Sequence, residues 1–337
     1  MKKSNILILS ILLLIIFTLI ISNTGTEEIV NQEITIGYFP NITHAPGLIG
    51  IGEGIFEDKL EGITIKTQIF PNGSLFMDAL STGQIDLGYV GPGPALNRYL
   101  QGADVKALAS ASTGGTVLVT RADLEFNSPS DLDGKIVATP ALGCTHDLIL
   151  RKLLNEYGMA TTRHGGTVDH RAQTPANMLA LFATNQLDAA MVPEPWAARI
   201  EEEAGGKVVV EWNEIPWEGT HPESILVSTN EFIEDNPEIL ESFLKAHLQS
   251  IEFINQDLDR AALIMQKEIK ELSRQELDIE VIKRSLTRTI INSELNEDIL
   301  QEFANLSKEL GFIRVDANLD GFVNTSLVED IRNAYSK

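Results

Sequence analysis

Two threonine–histidine pairs occur in the chain where hydroxyl and imidazole groups could bind an anion. Thr43-His44 follows one β-rich run, and Thr145-His146 follows another about 100 residues later. Each pair precedes an apolar stretch with helical spacing, and the free amides at the start of a helix favour negative charge. The threonine hydroxyls and histidine N–H groups add hydrogen-bond donors. The pairs therefore indicate an anion site, although ordinary helix caps and loop histidines would give the same pattern.

The two pairs belong to a longer internal repeat. Segment 82–90 (TGQIDLGYV) is similar to segment 184–192 (TNQLDAAMV). A repeat of this length and order predicts two lobes built on one plan, with a cleft between them. Its shared carboxylates, Asp86 and Asp188, each precede a strand, so we expect them to bind nearby backbone rather than to act as acid and base.

Further loops at the ends of strands add candidate ligand contacts. Glycines in segments 72–74 (NGS) and 91–93 (GPG) would let the backbone approach a small ligand, although tight turns would need them too. In the second lobe the matching loop, 193–196 (PEPW), contains Glu194 and Trp196 instead. Glu194 could accept from a positive ligand end, and Trp196 could form a wall or cation-binding face. Alternatively, Glu194 caps the next helix and Trp196 packs in the core.

Several motifs for other chemistry are absent or incomplete. The glycines of segment 50–54 lie at the end of a helical pattern, so they are not a dinucleotide fingerprint. The segment from Asp316 begins like a calcium loop, but its twelfth residue is Leu327, so we expect a surface turn. Cys144 is the single cysteine, which excludes an intramolecular disulfide and a cysteine-built zinc site. Cys144 beside His146 has no evident orienting group. We therefore expect no catalytic residue, metal or cofactor.

The elements that position these loops alternate between strands and helices, which is typical of an α/β protein with parallel sheets. The predicted strands are 34–38, 63–69, 85–90, 105–110, 135–138, 167–168 and 189–192. The predicted helices are 74–81, 95–101, 147–157 and 175–185. From Asn236 onward apolar residues recur at spacings of three and four, which predicts a helical tail that braces the first lobe.

The N-terminal segment indicates the compartment of the protein, and the net charge limits the partners that it can bind. Residues 1–23 have a lysine-containing start and a long apolar run, which predicts a signal peptide or a retained N-terminal anchor. No cysteine lies near this segment, so we do not expect a lipoprotein. A formal charge of -22 disfavours nucleic acid and anionic membranes as partners and favours a monomer.

The length of 337 residues predicts two domains. After a linker at 24–32, we expect residues 33–116 to form the first part of lobe one. Residues 117–227 would form lobe two with the hinge crossings, and residues 228–337 would complete lobe one and add C-terminal helices. Segments 114–120 and 224–228 are predicted to be the two crossings, which would form a hinge.

Three segments together carry a resemblance to a known family: 83–95, 134–140 with Gly143 and Asp147 after it, and 193–197. They resemble the substrate-binding proteins of ABC importers for nitrate, sulfonate, taurine and bicarbonate. The resemblance implies a type II periplasmic-binding-protein fold: two lobes, each a small, mostly parallel sheet flanked by helices, with a C-terminal helical tail. It also implies that a small anionic solute, a sulfonate or a related oxyanion, binds between the lobes. The partners would be a membrane permease and its cytoplasmic ATPase, and the protein would not be an enzyme. Carried over residue by residue, the ligand-binding positions are Asn41, Thr43, His44, Gly73, Ser74, Gly91, Gly93, Thr145, His146, Glu194 and Trp196.

Two alternatives remain open. The same fold could bind a pyrimidine precursor of thiamine, with Tyr38, Phe39 and Trp196 available to stack on a ring. An exported enzyme could instead use His146 and Glu194 on a two-lobed scaffold.

Overall fold

The computed structural model describes residues 32–335. The predicted signal or anchor at 1–23 and nearly all of the linker at 24–32 lie outside this range. The strands are β1 (Glu33–Tyr38), β2 (Thr64–Ile69), β3 (Leu87–Val90), β4 (Lys106–Gly114), β5 (Thr116–Thr120), β6 (Ile136–Thr139), β7 (Asp169–Ala172), β8 (Ala189–Pro193), β9 (Lys207–Val210), β10 (Pro222–Ser228) and β11 (Thr289–Ile290). The α-helices are α1 (Ala45–Gly52), α2 (Ile55–Lys59), α3 (Gly73–Ser81), α4 (Pro92–Leu100), α5 (Thr145–Glu156), α6 (Pro175–Ala183), α7 (Trp196–Ala204), α8 (Asn230–Asp235), α9 (Pro237–Gln256), α10 (Leu258–Ser273), α11 (Ile279–Thr287), α12 (Glu297–Glu309) and α13 (Ser326–Tyr335).

The strands form two sheets, which define the two lobes. The sheet of lobe one has six strands in the order β11-β4-β10-β3-β1-β2, and that of lobe two has five in the order β7-β6-β8-β5-β9. In each sheet the parallel strands lie on one side, where β1 pairs with β2 and β3, and β6 pairs with β7 and β8. The other pairings are antiparallel, so the prediction of mostly parallel sheets was wrong. The intervening helices connect the parallel strands, so the carboxyl ends of these strands meet at one edge of each sheet.

The repeated carboxylates stabilise equivalent places in the two lobes. Asp86 accepts a hydrogen bond from the Thr35 amide at 2.6 Å, and Asp188 accepts one from the Ile136 amide at 2.8 Å. Each carboxylate thus joins the start of one strand to the start of its neighbour. Both residues bind backbone as predicted, but that backbone belongs to a neighbouring strand 51 or 52 residues away in the chain rather than to the local segment.

The chain crosses between the sheets at two places. The first crossing is Gly114-Gly115, whose φ angles of 68° and 78° favour glycine. The return crossing runs through residues 211–221, between β9 and β10. β10 hydrogen-bonds to β3 and β4 on its two sides. Segment 224–228 is therefore a central strand of lobe one rather than a crossing, and residues 222–227 lie in the lobe-one sheet rather than in lobe two. Its almost wholly buried side chains and its paired edges explain this placement.

The C-terminal helices brace lobe one, as predicted, and also contact lobe two. Phe243 of α9 stacks on Phe56 of α2 with ring centroids 4.6 Å apart. On the other side, α11 packs against α7, and α12 packs against both α4 and α5. The tail therefore spans both lobes.

Some element boundaries differ from the sequence-based ones. The predicted strand at 167–168 is β7 at 169–172 instead, because Val168 forms only an isolated bridge with Thr161. Helix α4 begins at Pro92, before the predicted start, since proline fits the first turn of a helix. Within residues 32–335, none of the helices has both the length and the apolar character that a membrane span requires.

Candidate ligand-binding site

A cavity of about 360 Å³ lies between the two lobes at the strand ends. Most of the predicted contact residues line it: Asn41, Thr43, His44, Gly73, Gly91, Thr145, His146 and Trp196. Its walls include many apolar side chains: Phe39, Phe70, Pro94, Pro140, Pro175, Ile269 and Leu277. The cavity size is in the range of sites for small organic ligands.

Six helices begin at this cavity. The residues that precede their first turns all line it: His44, Asn72, Gly91, Cys144, Thr174 and Pro195. Because a helix carries partial positive charge at its N-terminus, the six dipoles favour negative charge on a ligand. Prolines in the first turns of α1, α4 and α6 remove some amide donors there.

The Thr43-His44 pair is buried in lobe one. The side-chain oxygen of Asn41 accepts from the amide and the hydroxyl of Thr43, at 3.0 and 3.1 Å. The His44 ring lies against Phe39, with centroids 4.8 Å apart. Burial lowers the pKa of His44 to about 3, despite the opposing attraction of Glu223. His44 is therefore a neutral part of the cavity wall.

His146 of the second pair is charged instead. Its Nε2 lies 2.8 Å from Oε1 of Glu223, in an ion pair that is not aligned as a hydrogen bond. Burial alone would lower the pKa of His146, but the Glu223 carboxylate, together with Cys144, outweighs it and raises that pKa to about 10. Conversely, burial would raise the pKa of Glu223, and His146 lowers it to about 2. Since Glu223 is in β10 and His146 is in α5, this pair joins the two lobes.

Glu223 was not identified from the sequence. Thr116 donates to Oε2 of Glu223 at 2.7 Å, and His221 lies 3.3 Å from the same oxygen. The sequence did contain a signal for it: Glu223 is a carboxylate in β10, where the other residues are apolar or small. Glu223 also orients the ring of His146. The Nδ1 of this histidine is 4.0 Å from Sγ of Cys144. The expectation that nothing orients this histidine was wrong, because the partner lies in a distant strand.

The glycine loops bring the lobes into contact. Oγ1 of Thr145 accepts from the Gly93 amide at 3.3 Å across the cleft. A Cβ on Gly91 would lie 2.5 Å from the same oxygen, and one on Gly93 would lie 2.7 Å from the Thr145 nitrogen. Gly93 thus packs behind the cavity rather than in its lining. Ser74 lines an adjoining cavity of about 210 Å³.

Glu194 is directed away from the cavity. It is fully buried and accepts from the guanidinium of Arg288 at 2.9 Å, the Ala198 amide at 3.0 Å and the Ser285 hydroxyl at 3.1 Å. Burial raises its pKa, and Arg288 opposes that change. These contacts match the alternative in which Glu194 caps helix α7, and they leave it unavailable to a positive ligand end.

Arg199, one turn after Trp196 on α7, also lines the cavity and was not identified from the sequence. Its guanidinium lies over the Trp196 ring, 4.6 Å from the centroid. The spacing of three residues between Trp196 and Arg199 was a signal that could have found it. Trp196 thus forms part of the cavity wall, and the cation over its ring is Arg199 rather than a ligand group.

The other motifs carry no site in the structure. Around Asp320 the calcium-like segment closes on itself, and Lys106 donates to the Gly321 carbonyl. In the part of the chain that the structure describes, no three His, Cys, Asp or Glu side chains are grouped so that they could hold a metal ion.

Two lobes with a cavity between the strand ends define the class of two-lobed solute-binding proteins. The chain belongs to the NMT1-like family, whose model matches residues 28–267. It is 27% identical over 218 residues to a putative binding protein of Brucella abortus, covering 65% of each chain. It is 24% identical over 217 residues to the taurine-binding periplasmic protein of Escherichia coli, covering 64% of this chain and 65% of that one. The match thus spans 65% of the length of these relatives.

The fold is that of periplasmic binding proteins. The periplasmic nitrate-binding protein NrtA from Synechocystis superposes with a TM-score of 0.76 at 18% identity, covering 90% of this chain and 89% of that one. The predicted α/β, two-lobed fold with C-terminal helices is confirmed.

Proposed function

We propose that the protein is an extracytoplasmic solute-binding protein of an ABC importer that binds a small sulfonate. It would close on its ligand and deliver it to a membrane permease driven by a cytoplasmic ATPase. The names of the relatives support this class, since one binds taurine and another is a binding protein. The predicted N-terminal signal or anchor agrees with that compartment.

One observation carries the choice of ligand: an apolar, aromatic cavity at which six helices begin. The helix dipoles favour a negative group, and the walls of Phe39, Phe70 and Trp196 favour an apolar body. A cavity of about 360 Å³ is much larger than nitrate or bicarbonate needs. A sulfonate with an organic body matches both properties.

Binding contacts come from both lobes, so the ligand would favour the closed form. The cavity is lined from lobe one by Asn41, Thr43, His44 and Gly91, and lining residues of lobe two lie opposite them. A ligand shifts such an equilibrium only by its difference in affinity for the two forms. The named relatives are binding proteins, and Glu194 lies outside the cavity, which argues against an enzyme that uses His146 and Glu194.

The pyrimidine alternative has one specific observation in its favour. Glu223 is a carboxylate acceptor in a cavity with aromatic walls, and an aminopyrimidine offers N–H donors and a flat ring. This candidate remains second because the Glu223 carboxylate already has polar partners within the protein: His146, Thr116 and His221. It is therefore less available to accept hydrogen bonds from a ligand.

The test is a binding screen by calorimetry and thermal shift. The ligands are propane-1-sulfonate, taurine, nitrate, bicarbonate and an aminopyrimidine. At 100 times its Kd a ligand should stabilise the protein by about 2.7 kcal/mol. Because Cys144 is the single cysteine and lines the cavity, a ligand in this site should also slow its alkylation by iodoacetamide. Binding by the pyrimidine but by no sulfonate would refute the sulfonate proposal.

A further inference from the structure

We propose that Arg199 binds the anionic group of the ligand, and that the Gln275 side chain occupies this position until the ligand displaces it. This inference rests on the proposed function and assigns the residue that selects for negative charge.

The Arg199 guanidinium is held in one orientation. One face lies over the Trp196 ring. Its Nε and Nη2 donate to the two carboxylate oxygens of Glu203, at 2.7 and 3.2 Å. The side chain is 11% exposed. A fixed guanidinium loses little conformational entropy when it binds a ligand.

Donors remain for a ligand. A guanidinium has five N–H groups. Glu203 accepts from two of them, and Oε1 of Gln275 accepts from Nη1 at 2.6 Å. The remaining two N–H groups are on the terminal nitrogens, Nη1 and Nη2. If Gln275 moves, this end of the fork can bind two oxygens of one sulfonate or carboxylate.

Gln275 is the group that an anion would replace at Arg199. It lies in the loop between α10 and α11, is partly exposed, and accepts through a neutral amide oxygen. A charged acceptor forms a shorter and roughly twice as strong hydrogen bond to arginine than a neutral one does. Ser273 at the end of α10 and Leu277 in the loop also line the cavity and would then contact the ligand.

The charges in the cavity favour Arg199 over every other position for an anion. Among the described residues that line the cavity, Arg199 is the one lysine or arginine. The charge of His146 is already balanced by buried Glu223, which would repel an anion nearby. Glu203 is 45% exposed, so water screens its charge on the outer side of Arg199. A monovalent organic anion should therefore bind with its head group at Arg199 and its body along the apolar walls.

The experiment compares charged and neutral isosteres. Propane-1-sulfonate, butanoate and neutral propane-1-sulfonamide are titrated by calorimetry into the wild type, Arg199→Gln and Arg199→Lys. We expect Arg199→Gln to weaken binding of the sulfonate or carboxylate at least about 30-fold and binding of the sulfonamide less than about threefold. Arg199→Lys should fall between, because lysine keeps the charge but loses the planar fork. Arg171→Gln is the matched control, since Arg171 is on β7 of the same lobe and pairs with Asp169 outside the cavity.

A second variant keeps the proposal testable if Arg199→Gln does not fold. Gln275→Glu places a carboxylate on the guanidinium and should weaken anion binding at least about tenfold while α7 stays unchanged. Unchanged anion affinity in folded Arg199→Gln, or equal losses for sulfonate and sulfonamide, would overturn the assignment while leaving the proposed function intact. Failure of the wild type to bind any organic anion would overturn both.

Discussion

The ion pair between His146 and Glu223 predicts that lobe closure takes up a proton. The two groups come from different lobes and lie 2.8 Å apart across the cavity. Cys144 is an ionisable group beside the His146 ring, and His221 and His44 are ionisable groups near Glu223. When the lobes separate, water replaces Glu223 and the histidine returns to its ordinary pKa of 6.5.

The size of the effect follows from the two pKa values of His146. At pH 8 a group with a pKa of 6.5 is about 3% protonated, whereas one with a pKa of about 10 is almost fully protonated. Closure at pH 8 should then take up about one proton, and at pH 6 about 0.2. Because this pKa is raised on closure, the stabilisation is complete below pH 6.5 and is lost as the pH rises through 10. Ligand affinity should fall up to about tenfold per pH unit between pH 7.5 and 9.5.

The pH dependence of the Glu223 contribution to closure has the opposite sign to that of His146. The pKa of Glu223 is lowered to about 2 from 4.5, so its contribution is present above pH 4.5 and is lost as the pH falls through 2. The pair therefore stabilises closure most between pH 4.5 and 6.5, and only His146 titrates in the range of the assay.

The assay is calorimetry of propane-1-sulfonate, which does not titrate, in buffers that differ in ionisation enthalpy. At pH 8 the dependence of the observed heat on that enthalpy gives the number of protons taken up. His146→Gln should reduce this number to near zero, and His164→Gln, at an exposed position in the same lobe, should not change it. Binding by the wild type without proton uptake at pH 8, or the same uptake in His146→Gln, would refute the reasoning.

Three further perturbations test the lobes and their contacts. Arg288→Ala should lower the free energy of unfolding by about 3–5 kcal/mol because it leaves buried Glu194 unpaired. Arg284→Ala, in the last turn of α11 just before Arg288 and 39% exposed, should change it by less than about 1 kcal/mol. Urea unfolding measures both, and equal losses would contradict the role of Arg288. Gly91→Ala places a Cβ 2.5 Å from Oγ1 of Thr145 across the cleft, so calorimetry should show affinity reduced about 5- to 100-fold, and unchanged affinity would count against this closed geometry. Burial lowers the pKa values of three histidines to between about 3 and 4: His44, His170 and His247. Since unfolding lets them take up protons, the free energy of unfolding should fall between pH 6.5 and 4 by up to about 4 kcal/mol per pH unit, and a flat profile would argue against their burial as neutral groups.

The sequence could predict the alternation of elements and the loops that line the cavity, because both depend on local pattern. Parallel strands place all their following loops at one edge, so Thr43 and Thr145 could be located without knowing any contact. The role of Glu194 could not be found in this way, since its partner Arg288 is 94 residues away in the chain. Glu223 was missed for the same reason, whereas Arg199 had a local signal in its spacing from Trp196 but also contacts the distant Gln275. Their importance comes from what faces them in three dimensions.

The two repeated Thr-His pairs show how one plan yields an asymmetric site. Both lobes place a histidine at the start of a helix, but only lobe one contributes a strand, β10, that carries a carboxylate into the cleft. That carboxylate charges His146 and leaves His44 neutral, although both histidines are buried. An anion near Glu223 would be repelled, whereas one near Arg199 would be attracted. A ligand with a charged head and an apolar body should therefore bind in one orientation, set by residues outside the repeat.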